Sequence, residues 1–295
     1  MAVLPTVLIT GANGFLGSRF SAHFQACGIS VVALVRGAAN MAALLPLESK
    51  IKIAVMSDDG SNLEEILSQF RPDIVVHAAG SAVQGDDAES SQALIKANVL
   101  FPTLLLAAMK KTGVNRLINT GTIWQHYQDK DYKPTALYPA TKQAFEDIIL
   151  HYCHEGLIAV SLHLPDVYGP GDTRPKLIPA LLKVAQSGET LPLSPGEQIK
   201  DWLYIADVAR AYEKAIDHIL ATQQPGHQIF SLPSEQPVSL KELIETFETT
   251  RGVKLPIEWG VRPYHAREMM APWRSGASLP GWRAQISLAE GLKNL

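Results

Sequence analysis

Two side chains four residues apart, Tyr138 and Lys142, are of the right types to move a proton together. On a helix that spacing puts them on one face, one turn apart. An ammonium beside a phenol favours the phenolate, which lets a group with an unperturbed pKa of ~10 exchange protons near neutrality. Upstream, Asn119-Thr120-Gly121-Thr122 supplies a hydroxyl, Thr122. Tyr-x-x-x-Lys is a common spacing, so its meaning depends on the elements that must position it. Pro139 directly follows Tyr138, so a helix is expected to begin there, where proline lacks no needed hydrogen bond. Tyr138 would then stand at the helix mouth, facing the ligand edge of a sheet.

The first half of the chain alternates short apolar runs with amphipathic segments. Strand patterns run over Val7–Thr10, Ser30–Val35, Ile51–Met56, Ile74–His77, Arg116–Thr120 and Ile158–Leu164. Helical patterns between them cover Phe15–Cys27, Leu63–Phe70, Ser91–Thr112 and Pro139–His154. Continuous apolar strands separated by helices predict an α/β fold, a doubly wound parallel sheet covered on both faces. Gly28, Gly113 and Gly156 each fall where a helix should end. After Pro165, prolines and glycines cluster, and helices are expected over Lys176–Ser187, Ala206–Leu220 and Leu240–Thr250. We therefore expect residues 1–165 to form the main domain, part of about 200–235 to return to it, and 166–295 to form a smaller mixed lobe over the carboxyl edge of the sheet.

Gly11-Ala12-Asn13-Gly14-Phe15-Leu16-Gly17 follows the first strand directly and opens the first helix. Such glycines permit a tight turn, backbone close to a pyrophosphate and close helix–strand packing, and the helix N-terminus adds free N–H groups. A dinucleotide is the expected ligand. The second strand ends in Leu34-Val35-Arg36, with no carboxylate for a ribose 2′-hydroxyl, and Arg36 could pair with a 2′-phosphate. NADP(H) is expected over NAD(H). Asp58 could accept from the adenine amino group, and the Ala78-Ala79-Gly80 turn leaves space for the ribose.

Composition narrows the remaining classes. A chain of 295 residues, 46% hydrophobic and 19% charged, reads as globular with ample core. A net charge of -3 offers no broad footprint for nucleic acid or an anionic membrane, so neither is expected as a partner. The longest apolar stretch, Val99 to Met109, is expected to be interrupted by Pro102, and the N-terminus enters a strand within a few residues; a cytoplasmic protein is expected. The two cysteines, Cys27 and Cys153, read as buried small hydrophobes in helices. The nine histidines show no metal-ligand spacing, and His151 and His154 read as one solvated or half-buried helix face, so no metal is expected.

The chain resembles the extended short-chain dehydrogenase/reductases, the family of nucleotide-sugar epimerases, dehydratases and ketoreductases. The resemblance runs nearly end to end, through T-G-A-N-G-F-L-G, D-I-V-V-H-A-A-G, Asn98-Val99, Y-P-A-T-K, D-V-Y-G-P-G-D, D-W-L-Y-I-A-D-V-A-R-A-Y and G-W-R-A-Q-I-S-L-A-E-G-L. It implies a Rossmann domain binding NAD(P), a C-terminal lobe binding a nucleoside-diphosphate sugar, and a homodimer built on the helices at Ser91–Thr112 and Pro139–His154. It also implies a catalytic triad of Thr122, Tyr138 and Lys142, and adds Asn98 and Pro165 to the cofactor residues. On the substrate side it implies Thr122, Trp124, Asp166, Lys176, Lys200 and Arg267.

Departures from the family pattern narrow the activity. The 4,6-dehydratases place Asp-Glu after the catalytic Thr; here Ile123 and Trp124 stand there and cannot shuttle protons. The 4-epimerases usually carry Val-Tyr-Gly after the same residue and an acidic second-strand end, and this chain has neither. N-T-G-T, with P-Y-H-A-R-E-M-M-A-P-W near residue 263, is similar to CDP-deoxysugar 4-ketoreductases of the abequose and paratose synthase type. The family often has Arg where this chain has His163, Asn where it has Asp166, and Arg where it has Lys200, which keeps the charge without the bidentate fork. The expected activity is NADPH-dependent reduction of a 4-keto-6-deoxyhexose carried on a nucleoside diphosphate. An NAD-dependent 4-epimerase and a non-catalytic NADPH-binding regulator stay open as alternatives.

Overall fold

The computed structural model describes residues 4–37 and 41–295. Along the first half run β1 (Thr6–Thr10), α1 (Phe15–Ala26), β2 (Ser30–Arg36), β3 (Lys52–Met56), α2 (Leu63–Phe70) and β4 (Ile74–His77). Next come α3 (Ala88–Ile95), α4 (Phe101–Thr112), β5 (Arg116–Thr122), α5 (Leu137–Cys153), β6 (Ile158–Leu164) and β7 (Asp166–Tyr168). The rest comprises α6 (Leu177–Ser187), β8 (Leu191–Pro192), β9 (Ile199–Lys200), β10 (Trp202–Tyr204), α7 (Ile205–Ala221) and β11 (Gly226–Ser231). The chain closes with β12 (Val238–Ser239), α8 (Leu240–Arg251), β13 (Ile257–Glu258) and α9 (Leu288–Lys293).

Seven parallel strands form the central sheet in the order β11-β6-β5-β4-β1-β2-β3. β4 and β6 are buried along their whole length, as strands covered by helices on both faces must be. One apolar core joins β1, β2 and β6 to Phe20, Phe24, Tyr212 and the C-terminal lobe. The other packs Leu63, Leu67, Leu105, Phe145 and Ile149 on the opposite face. β1 pairs with both β2 and β4, so the chain's direction of winding reverses between β1 and β4. A crevice opens there at the strand carboxyl ends, the place where such sheets bind ligands. Thr10 spans it: its hydroxyl meets His77 Nδ1 at 2.8 Å and accepts the Ala79 amide at 3.2 Å.

The C-terminal residues are held to the sheet by one buried carboxylate. Asp207, on α7, accepts the amides of Gln285 (3.1 Å) and Ile286 (3.0 Å), while its carbonyl takes the Trp282 indole N–H at 3.1 Å. Three short ladders, β7 with β10, β9 with β12 and β8 with β13, build the lobe above the crevice.

Two expectations need correction. Pro102 does not interrupt its helix, because it falls in the first turn of α4, after a π-helical turn at Lys96–Leu100 that carries on from α3. The whole stretch, Ala88–Thr112, is by length and composition apolar enough to cross a membrane; here it packs on α2 and α5. Cys27 is exposed rather than buried, because it lies past the last turn of α1. It brings its sulfur 3.8 Å from His23 Nε2, which meets Glu213 at 2.7 Å, so a His/Cys/Glu group arises that the linear spacing did not suggest.

Candidate active site

The catalytic candidates converge where β5 ends and α5 begins. Thr122 closes β5 and caps the short turn Ile123–Gln125. Its hydroxyl accepts the Trp124 amide at 3.3 Å, and the Gln125 side-chain oxygen returns to the Thr122 N–H at 3.1 Å, a capping box. α5 starts at Leu137, one residue before Tyr138, and the Tyr138 and Thr122 hydroxyls are hydrogen-bonded. Lys142 follows one turn on and is buried; a Cβ built on Gly80 would stand 3.8 Å from its Nζ, so the ammonium faces the Ala78–Gly80 turn.

The proton chemistry differs from the expectation. Burial pushes the Tyr138 phenol up to about 12, against the opposing influence of the Thr122 hydrogen bond and the Arg174 charge. Burial pushes Lys142 down to about 8, partly countered by Glu146. In the free protein the phenol is thus a protonated acid, and desolvation outweighs the expected help from the ammonium. That state suits proton donation to an oxygen that gains charge.

A cleft of about 1440 Å³ runs from these residues in both directions. At one end it is lined by Gly11, Gly14, Phe15, Leu16, Gly17 and the turn Ala78, Ala79, Gly80. A Cβ on Gly17 would come within 2.2 Å of the Gly11 carbonyl oxygen, so only glycine lets α1 approach the β1 turn this closely. No side chain caps the N-terminus of α1, which leaves its first amides for an anion. The residues present therefore fit a dinucleotide pyrophosphate.

Other expected cofactor residues lie differently. Asn98 is buried, with its oxygen taking the Ser81 amide (2.8 Å) and its nitrogen giving to the Ser81 carbonyl (2.8 Å) and the Thr141 hydroxyl (2.9 Å). It shapes the turn at Ala78–Ser81, its amide already engaged, and it sits in the π turn that aims it there. Arg36 and Asp58 stand exposed at the ends of β2 and beyond β3, outside the residues lining the cleft. Pro165 is buried between β6 and β7. Asn13 lies in the turn before α1.

The other end of the cleft holds the six expected substrate residues or abuts them. Trp124 lies between two ammonium groups, Lys176 Nζ at 5.3 Å and Lys200 Nζ at 5.5 Å from its ring centre. Lys176 also pairs with Asp166 at 3.7 Å, which offsets the carboxylate that replaces the family's usual Asn. Lys200 pairs with Glu268 at 3.3 Å, and Arg267 gives a hydrogen bond to the Pro134 carbonyl at 2.9 Å.

Sequence reading missed Arg174. Its guanidinium lies 4.3 Å from the Phe15 ring centre, grips Asp172 at 2.7 and 2.8 Å and gives to the Val167 carbonyl at 2.9 Å, joining the glycine turn to the lobe. Nothing in T-R-P-K marks it, since the ring it stacks on, Phe15, is distant in sequence. Asp201 was missed as well; burial pushes its carboxyl up to about 6 at the edge of the cleft. The capping box Thr122-Ile123-Trp124-Gln125 was a legible signal for Gln125.

A Rossmann sheet, a glycine turn on a helix N-terminus and a Thr–Tyr–Lys group at one cleft define a nucleotide-cofactor enzyme site. The chain belongs to the NAD dependent epimerase/dehydratase family, whose model matches residues 7–229. It is 26% identical over 294 residues to a CDP-abequose synthase of Salmonella muenchen, covering 98% of this chain and 96% of that one. It is 28% identical over 276 residues to a UDP-glucose 4-epimerase of Corynebacterium glutamicum, covering 85% and 82%. In fold it is similar to MoeE5 solved with UDP-glucuronic acid and NAD (TM-score 0.81, 24% identity, 98% and 97% covered). It is also similar to a UDP-glucose-4-epimerase from Stenotrophomonas maltophila solved with NAD (TM-score 0.87, 20% identity, 98% and 96% covered).

Proposed function

We propose that this protein uses NADPH to reduce the 4-keto group of a nucleoside-diphosphate-linked 4-keto-6-deoxyhexose. The observation that carries this reading is the apolar pair Ile123-Trp124 directly after Thr122, beside a Tyr138 held as a protonated acid. With no carboxylate there, the site has an acid for a carbonyl oxygen but no acid–base pair for removing water across two carbons. The bound nicotinamide supplies the hydride. Tyr138 gives its proton to the oxygen as charge develops there, and Thr122 hydrogen-bonds the same oxygen. Lys142, facing the Gly80 turn, holds the nicotinamide ribose. Lys176, Lys200 and Arg267 meet the diphosphate in the lobe formed by residues 166–295. Arg36, with no acidic residue at the end of β2, favours the 2′-phosphate.

We further propose a homodimer through α3, α4 and α5, whose outer faces leave Ile95, Leu100, Leu104 and Leu150 between 39% and 51% exposed. The protein is expected to work in the cytoplasm.

A second reading is a 4-epimerase with retained NAD, favoured by the NAD held in similar structures. The reductase reading predicts NADPH consumption with a panel of 4-keto nucleotide sugars, one hydroxyl epimer formed, and strong preference over NADH. Interconversion of 4-hydroxy epimers by protein isolated with bound NAD, without net cofactor consumption, would support the epimerase instead.

A further inference from the structure

Beneath the site lies a buried polar chain that the reaction scheme does not use. Glu146 sits one turn beyond Lys142 on α5, with both carboxylate oxygens engaged. Oε2 accepts from the Gln125 amide nitrogen at 3.0 Å, and the oxygen of that same amide holds the Thr122 N–H. Oε1 meets His163 Nε2 at 2.7 Å; His163 Nδ1 meets His126 Nε2 at 2.8 Å; and His126 Nδ1 meets the Lys130 carbonyl at 3.1 Å. Trp273, from the C-terminal lobe, stacks on His126 with ring centres 3.6 Å apart. The His163 ring fills the space under β5: a Cβ on Gly121 would lie 2.3 Å from it.

Counting protons along this chain gives its charge. The Lys130 carbonyl can only accept, so His126 Nδ1 bears a hydrogen. An ionised Glu146 can only accept, so His163 Nε2 bears one too. The two nitrogens between them share a third. Three N–H groups on two imidazoles amount to one imidazolium. Moving that proton onto Glu146 is opposed by the Gln125 amide, and the His163 contacts hold this carboxyl down at about 2 despite burial. Burial and the neighbouring His163 charge both push His126 down, which leaves the charge on His163. Across the sheet His227, on β11, meets the Ser161 hydroxyl through Nε2 at 2.8 Å, and the same hydroxyl accepts from Asn119. The ionisable groups around the pair are thus Glu146, its neighbour Asp147 and Lys142 on α5, His126 on the turn, and His227 on β11.

We propose that His163 carries a resident imidazolium which, through Glu146 and Gln125, positions Thr122 and the turn that follows it. His163 and Glu146 are then positioning residues, and the role assigned to them rests on the reading of Thr122 as the hydroxyl that meets the reacting oxygen. The ion replaces the arginine expected at this position with a cation that can lose its charge. Two neutral rings would carry only two N–H groups for three contacts, so one of the three hydrogen bonds would be missing and the Thr122 end of the chain would loosen.

The test uses the whole protein and needs no substrate for its first two parts. Side-chain nitrogen NMR at neutral pH should find both His163 nitrogens protonated and His126 protonated at Nδ1 alone. Two neutral rings with one N–H each would overturn the proton assignment. His163→Gln should raise the exchange rate of the Thr122 amide about tenfold or more while leaving NADPH affinity unchanged, and His163→Arg should restore protection. Unchanged exchange in a folded His163→Gln protein would overturn the positioning role. With a turned-over substrate, His163→Gln should lower kcat about tenfold with little change in KM, and His163→Arg should recover it. If NMR and exchange agree but no 4-keto sugar is reduced by the unaltered protein, the substrate reading fails and the positioning device stands.

Discussion

Replacing Lys142 with methionine should make the protein more stable at neutral pH while removing its function. The lysine is 5% exposed, and burial brings it from 10.5 down to about 8. A lowered lysine pKa means that the unfolded chain binds more protons than the folded one between those two values. Stability therefore rises as pH climbs from about 8 to 10.5. Below pH 8 the buried ammonium costs the fold the whole difference, which at 1.36 kcal/mol per unit is about 3 kcal/mol. Methionine has a similar length and no charge, so Lys142→Met should recover part of this. The recovery is incomplete because Glu146 loses a favourable cation, and we expect a gain of about 1–3 kcal/mol at pH 7. Guanidinium denaturation at pH 7 and at pH 10 measures it: the unaltered protein gains stability between the two, and the variant gains much less. Turnover should fall to background and NADPH affinity should weaken. A Lys142→Met protein less stable at pH 7, or with the same pH slope as the unaltered protein, would refute the claim that desolvation dominates at this site.

Tyr138→Phe should keep NADPH binding and lose about 10²–10⁴-fold in turnover, read by NADPH absorbance, since it removes only the proton donor. Gly17→Val should abolish cofactor binding in a fluorescence titration, because the Gly11 carbonyl oxygen lies 2.2 Å from where even a Cβ would be. Asp201 is raised from 3.8 to about 6 by burial, so the folded state holds its proton longer and stability falls as pH rises through that window. Asp201→Asn keeps an acceptor for the Ser234 amide and should flatten this fall, by up to about 3 kcal/mol at pH 7 in denaturant melts. Leu100→Asp with Leu150→Asp should halve the mass measured by light scattering if α3, α4 and α5 form the proposed dimer; a mass unchanged by the pair would remove that surface from consideration.

The sheet was legible because its cause is local. Runs dominated by apolar residues, such as Ile74–His77 and Ile158–Leu164, are driven out of water, and both strands lie where the pattern put them. The glycine turn was legible for a similar reason: Gly14 and Gly17 are required by close approach to the Gly11 carbonyl within one short loop. The sequence alone also determined that Tyr138 and Lys142 share a helix face and that Ile123 and Trp124 bring no carboxylate after Thr122.

What needed the tertiary structure depends on burial and on partners remote in the chain. No spacing says that Tyr138 is a neutral phenol and Lys142 a weakened base, because desolvation is set by what packs around them. Arg174 joined the site only when folding brought Phe15 against its guanidinium, and Lys200 turned out to be paired with Glu268. Glu146 and His126 look unremarkable where they stand in the sequence, and His163 shows there only as a departure from the family's usual Arg. Folding stacks helix, strand and turn so that three hydrogen bonds run through them, and the charge inferred for the buried chain follows from that geometry.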